Sequence, residues 1–243
     1  MNQSLFEIKS NRKIARDIYE MVLVGDTSEI TRPGQFINIK LDNLFLRRPI
    51  SVCDYDDKTA TIIYKVVGEG TEKMSLMERG TLDVLTGLGN GFDTELSGEN
   101  PLLIGGGVGV PPMYNLCRKL ISEGKTVTVI MGFMNEADVF YKEEFENLGA
   151  KVYVTTNDGS KGIKGFVTDA MKEIDGYTYF YTCGPEPMLK GVYDVSKTEG
   201  QLSFEARMGC GFGACMGCTC ETKYGNKRIC KDGPVLLKEE VIW

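Results

Sequence analysis

Four cysteines near the C-terminus carry the strongest chemical signal in the chain. Cys210, Cys215, Cys218 and Cys230 follow the pattern C-x4-C-x2-C-x11-C. Three thiolates on one tight loop, with a fourth from a later segment, match the plant-type [2Fe–2S] spacing. Gly209, Gly211, Gly213 and Gly217 let that loop turn sharply and leave backbone amides free to bond cluster sulfurs. A structural zinc site and free thiols are the other readings of the same residues. Zinc ribbons favour paired C-x2-C knuckles, and one such pair has the usual placement here. Cys220 is an extra thiol beside the ligands, read as structural, with a ligand swap as the alternative.

Three further motifs suggest nucleotide chemistry. Arg47-Arg48-Pro49-Ile50-Ser51 interrupts an apolar run and leads into a strand. An arginine fork suits a pyrophosphate, and a serine hydroxyl can donate to a flavin ring nitrogen. An Arg-Arg pair also fits a plain solvated surface. Gly105-Gly106-Gly107-Val108-Gly109 lies between a strand and a helix that starts at Pro111-Pro112. It is neither a strict GxGxxG nor a Walker A loop. Its glycines still allow a diphosphate to approach a helix N-terminus, and a ligand-free βα turn is the alternative. Cys183-Gly184-Pro185 stands at a second strand-to-helix junction, where a lone cysteine also fits a buried thiol.

The composition narrows the chemistry. There is no histidine in 243 residues. Ser-His-Asp and Cys-His machinery, His-ligated zinc and Rieske centres are thereby excluded. Electron or hydride transfer on bound cofactors needs no such proton shuttle. No catalytic side chain is assigned. Net charge is 28 − 34 = −6, which gives no general attraction to nucleic acid or anionic membranes. No apolar stretch is long enough for a membrane span and no signal peptide is evident, so a cytoplasmic location is expected.

These residues need elements to hold them. Residues 1–97 read as short strands and turns, with Ile18–Val24, Gly34–Lys40 and Thr61–Val67 the clearest strands and one helix near Thr71–Glu78. That texture predicts a β-barrel. Residues 98–200 alternate strand and helix, which predicts a doubly wound α/β domain. Its helices are expected at Met113–Glu123, Lys142–Leu148, Phe166–Ile174 and Glu186–Thr198. The segment Gly87–Asn100 is the expected linker. Residues 201–243 read as a small, loop-like C-terminal lobe for the [2Fe–2S] cluster.

Taken together, the motifs resemble the ferredoxin-NADP reductase superfamily, across essentially the whole chain and in the expected order. The run from Met208 to Cys220 is similar to that of the electron-transfer subunits of class 1B dihydroorotate dehydrogenases. The resemblance implies FAD on Arg48, Pro49, Ile50 and Ser51, on Ile63, Tyr64 and Lys65, and on Gly70 and Thr71. It implies NAD on Gly105, Gly106, Gly107 and Gly109 and on Cys183, Gly184 and Pro185. The cluster ligands carry over as Cys210, Cys215, Cys218 and Cys230. Many members place a tyrosine where Ile50 stands, which leaves the residue covering the flavin ring open. The implied partner is an FMN-containing dihydroorotate dehydrogenase catalytic subunit, in a heterotetramer of two copies each. Electrons would run from its FMN through the cluster and FAD to NAD⁺. The loop after the second strand of the sheet has Glu136 or Asp138 for a ribose and no arginine for a 2′-phosphate, which favours NAD over NADP. Phe212 and Met216 give the cluster loop an apolar tip suited to docking, or to packing within the lobe. The rival readings are the matching subunit of another anaerobic NAD(P)H-linked reductase and a redox- or nucleotide-sensing regulator.

Overall fold

Six antiparallel strands close the N-terminal region into a barrel, with bulges in three of their pairings. The computed structural model describes residues 1–243. The barrel strands are β1 (Asn2–Ala15), β2 (Ile18–Val24), β3 (Phe36–Lys40), β4 (Arg48–Tyr55), β5 (Thr59–Lys65) and β6 (Thr81–Leu88). They close in the order β1-β2-β5-β4-β3-β6, so no edge is left open. Ile37, Ile39, Ile62, Tyr64 and Val84 fill the interior. The helix α1 (Glu69–Ser75) starts two residues earlier than expected. Thr71 explains the start: its Oγ1 accepts from Val67 N at 2.9 Å and donates to the Gly68 carbonyl at 3.0 Å.

The second region is a seven-stranded sheet. Its elements are β7 (Pro101–Gly106), α2 (Pro111–Ser122), β8 (Thr128–Phe133), α3 (Lys142–Asn147), β9 (Lys151–Thr156), β10 (Ile163–Lys164), α4 (Val167–Met171), β11 (Tyr179–Cys183), α5 (Glu186–Val195) and β12 (Gly200–Ser203). A hairpin follows, β13 (Thr219–Thr222) and β14 (Gly225–Arg228), and then β15 (Val235–Leu237). The order is β10-β9-β8-β7-β11-β12-β15. The chain steps outward from β7 in one direction and then returns to β7's other side. That reversal puts the topological switch point at the carboxyl end of β7, where open α/β sheets hold ligands. Pro111 opens α2, and Met113, Leu116, Cys117 and Leu120 bury its inner face.

Two expectations shift. The α4 helix ends at Met171 rather than Ile174, and α5 ends at Val195 rather than Thr198, ahead of a strand that opens at Gly200. The segment from Gln201 contributes two strands to the nucleotide sheet, with β12 parallel to β11 and β15 antiparallel to β12. The sequence pattern hides β12 because its central position is polar. Gln201 is buried, and its Nε2 donates to the Asp93 carbonyl at 2.9 Å. Barrel and sheet share a core that joins Ile18, Cys53 and Ile63 to Val110, Met113 and Tyr181. A polar clasp adds to it: Glu20 of the barrel accepts from Tyr141 Oη and from Arg12 Nε, each at 2.7 Å.

Candidate functional site

The glycine loop and the cysteine loop meet at the switch point. Gly105 and Cys183 are register partners on adjacent parallel strands. Gly109 lies so close to the next loop that an added Cβ would sit 2.1 Å from the Cys183 carbonyl oxygen. Gly107 has φ +53°, and a Cβ on Gly106 would meet the Met188 sulfur at 2.4 Å. Glycine is required here by backbone approach. Cys183 is buried, and that burial pushes its thiol up to about 12. It is therefore a neutral wall and not a nucleophile.

In front of these loops is a cavity of about 650 Å³. Gly106, Gly107, Pro185, Met188, Phe133 and Asp138 line it from the sheet, and Arg16 and Lys65 line it from the barrel. A pocket of this size, mostly apolar with a few polar groups, is the usual form of a cofactor site. Thr155, also in its lining, is buried with an Oγ1 that has no partner. An orphaned hydroxyl of that kind fits a ligand that supplies the missing bond.

The barrel motif is divided between jobs. Arg47 is consumed by structure: it donates to the carbonyls of Asn38 and Asp83 at 3.2 and 3.0 Å and pairs with the Asp83 carboxylate. Arg48 makes no ion pair: its Nη1 donates to the Leu46 carbonyl, and its side chain lies across Gly70, where a Cβ would come within 2.1 Å of its Nε. Arg48 and Gly70 are thus brought together from β4 and α1. Ile50 leans on the barrel core, Ile63 on the core shared with the sheet, and Tyr64 points into the barrel, where its hydroxyl donates to Asn11 at 3.0 Å. These three side chains are packing residues, and what they can offer a ligand on the barrel surface is backbone. Pro49 and Ser51 are half-buried on β4, and Lys65 is exposed at the cavity wall.

The cluster cysteines gather as two pairs. The Cys215 amide points at the Cys210 sulfur and the Cys230 amide at the Cys218 sulfur. No three of them meet at a single ion position. Two thiolate pairs suit two irons, whereas one tetrahedral zinc needs all four sulfurs around one point. Backbone amides serve the sulfurs: Ala214 N and Cys215 N donate to Cys210 Sγ at 3.2 and 3.4 Å, and Cys230 N donates to Cys218 Sγ at 3.4 Å. Burial raises the Cys210 thiol, but these amides outweigh it and bring it down to about 6. Burial and the neighbouring Cys218 push Cys230 up to about 12. Cys220 lies outside both pairs on β13.

Four functional residues carry no sequence motif. Arg16 reaches across from the barrel and holds Asp138 through two hydrogen bonds of 2.9 and 2.8 Å. The arginine nearest this ribose candidate thus comes from the barrel and not from the loop after β8, and its partner neutralises it. Glu205 stands at the cavity mouth, open to solvent on one side, and partial desolvation raises its carboxyl above the ordinary range. Thr155 and Asn38 complete the set. Only a hydrophilic residue inside an apolar strand could have marked Asn38, and nothing local marks the others.

Comparison with known proteins adds a family to this geometry. A family model described as the iron-sulfur cluster binding domain of dihydroorotate dehydrogenase B matches residues 205–242. A second, an oxidoreductase NAD-binding domain, matches residues 103–194. The chain is 43% identical to the dihydroorotate dehydrogenase B (NAD(+)) electron transfer subunit of Bacillus pumilus, covering 99% of this chain and 98% of that one. The subunit of the same name from Fusobacterium nucleatum is 42% identical, covering 96% of each. Among solved structures, an NADH-dependent reduced ferredoxin-NADP oxidoreductase aligns with a TM-score of 0.89 at 31% identity, over 99% of this chain and 90% of that one. A ferredoxin NADP+ reductase from Neisseria gonorrhoeae with bound FAD and NADP shares the fold, with a TM-score of 0.70 at 16% identity over 80% and 90%.

Proposed function

The chain belongs to the family of dihydroorotate dehydrogenase B electron transfer subunits, and from that premise we propose that it carries electrons between an FMN-containing catalytic subunit and NAD⁺. FAD, when bound, exchanges electron pairs with nicotinamide as hydride and single electrons with the [2Fe–2S] cluster. Arg48, beside Gly70, meets the FAD diphosphate, and the backbone of Pro49–Ser51 and of Ile63–Lys65 lines the flavin. Gly105–Gly109 and Gly184 let NAD lie against bare backbone at the switch point. Pro185 and Met188 would bound the nicotinamide, with Cys183 in the strand end beside them and Glu205 also lining the cavity. Cys210, Cys215, Cys218 and Cys230 hold the two irons.

The observation that carries this reading is where the cluster lobe is rooted. Its first strand, β12, is the immediate neighbour of β11, which ends at Cys183. Its loop also touches the barrel, where Asn38 donates to the Cys210 carbonyl. One lobe thus contacts both the nicotinamide strand and the flavin barrel. The partner docks on its apolar tip, where Phe212 and Met216 are 42% and 54% exposed. Two copies of each subunit form the complex, in the cytoplasm. No helix is long and apolar enough to cross a membrane.

The test is an anaerobic visible spectrum before and after NADH, followed by addition of the catalytic subunit and dihydroorotate. Flavin and iron–sulfur bands that both bleach with NADH are expected, followed by dihydroorotate-dependent reduction of NAD⁺. A colourless chain with stoichiometric zinc would overturn the proposal. Bleaching without dihydroorotate flux would move the chain to another NAD(P)H-linked reductase.

A further inference from the structure

Strand β3 is covered on both faces. Ile37 and Ile39 fill the barrel, while Phe36 packs in the core that contains Cys218 and Cys230. The outward face of β3 is therefore the floor of the cluster lobe. A strand buried on both sides normally reads as continuous Val, Ile and Leu. Asn38 breaks that run, and it is 1% exposed.

Burying a carboxamide costs free energy unless its groups are paired. Asn38 is half-paired: Nδ2 donates to the Cys210 carbonyl at 3.2 Å, and Oδ1 has no partner. The acceptor at Cys210 fixes the amide's orientation, since turning it over would set two oxygens face to face. One bond gained and one oxygen orphaned is a poor bargain for stability alone. The loop is shaped to receive this side chain. Gly211 has φ +80°, and a Cβ there would lie 2.3 Å from Nδ2. Along the ladder, Asn38 is the register partner of Pro49, inside the Arg48–Ser51 motif. Its own carbonyl accepts from Arg47 at 3.2 Å. One residue thus grips the flavin strand by its backbone and the cluster loop by its side chain.

We propose that Asn38 is a positioning residue for electron transfer, its carboxamide holding the Cys210 arm of the cluster loop in register with β4. The inference rests on the functional reading above, in which flavin and cluster exchange electrons. No bond is made or broken in that exchange. Single electrons cross, NADH supplies them, and the rate falls steeply with separation. Groups bonded around a metal ligand also tune the centre they surround.

The experiment uses the whole chain loaded with FAD and cluster, as wild type, Asn38→Leu and the near-isosteric Asn38→Asp. Rapid mixing with NADH follows the flavin and cluster bands separately. Electron paramagnetic resonance and a redox titration report on the cluster itself. Flavin bleaching at the wild-type rate is expected in both variants, with cluster bleaching slowed about tenfold or more. Asn38→Asp, which exchanges a donor for an acceptor, should also change the resonance line shape and shift the cluster midpoint. Unchanged cluster rate, line shape and midpoint in both variants would overturn the inference. Loss of the cluster from both, with flavin retained, would also overturn it, by reducing Asn38 to scaffold. A wild-type chain whose cluster never bleaches with NADH would fail the functional reading itself, and this inference with it.

Discussion

At the nicotinamide crevice, Gly109 and the Cys183 carbonyl leave no room for a methyl group between them. At the cluster loop, Phe212, Ala214, Cys215, Met216 and Gly217 all lie exposed. The crevice is made by two adjacent strands of a sheet whose faces are packed throughout, so its shape exists before any ligand arrives. The cluster loop has little core of its own. Amides aimed at sulfur, the Arg228 guanidinium on the Gly213 carbonyl at 2.9 Å, and Asn38 hold it. Met216 even accepts a φ of +60°, a conformation that side chains disfavour by about 1–2 kcal/mol. A pocket for a diffusing cofactor has to be preformed, whereas a loop around a resident cluster can borrow rigidity from what it binds.

The largest expected effect divides the two regions cleanly. Cys215→Ser should remove the cluster and end dihydroorotate-to-NAD⁺ flux, while NADH still bleaches the flavin. Wild-type flux in this variant would refute the wiring, and loss of flavin bleaching would show that the crevice is not independent of the lobe. Gly109→Ala is the converse. It overpacks the preformed site, at a cost of about 1–3 kcal/mol, and should abolish reduction by NADH while the cluster, reduced instead by dithionite, keeps its resonance spectrum. A thermal midpoint and NADH affinity equal to wild type would mean that the crevice yields more readily than its packing implies.

Phe212→Asp should weaken association with the catalytic subunit by about tenfold, with the visible spectrum intact. Unchanged complex formation on sizing would sink the docking role of the loop tip. The smallest effect concerns Glu205. Its raised carboxyl means that folding disfavours the ionised form. That penalty is absent below the ordinary carboxylate range and complete once pH passes the raised value. Glu205→Gln should therefore stabilise the NAD-free chain at neutral pH, by under about 0.5 kcal/mol given its contact with solvent. The gain should vanish in acid. A gain that persisted there would assign the effect to packing, and urea midpoints across pH would tell the two apart.

Most of the architecture could be read from spacing, because glycines and cysteines act through backbone geometry and ligand count. The Gly105–Gly109 and Cys183–Pro185 loops stand at strand ends on one sheet, as their sequence contexts implied. The cluster pattern was explicit in the intervals between cysteines. The strands β12 and β15 were not legible, since Gln201 satisfies its buried amide through Asp93, a partner far away in sequence. The division of labour within Arg47-Arg48 was hidden for the same reason, since Asp83 decides it from β6. Arg16 reaches the cavity from the turn between β1 and β2 and Thr155 from β9, and neither element carries a motif. What sequence alone could not supply was tertiary: which polar groups find each other across the barrel and the sheet.

The two ends of the cluster lobe meet on the sheet. Ser203 closes β12, Val235 opens β15, and the two are direct antiparallel partners. The lobe therefore departs from and rejoins the sheet at points roughly 5 Å apart. A segment whose ends touch can be replaced by a short hairpin turn without rethreading the chain. The cluster is in that sense a cartridge. Exchanging it would keep the threading of the sheet, and any replacement would have to cover the outward face of β3 on which the lobe sits.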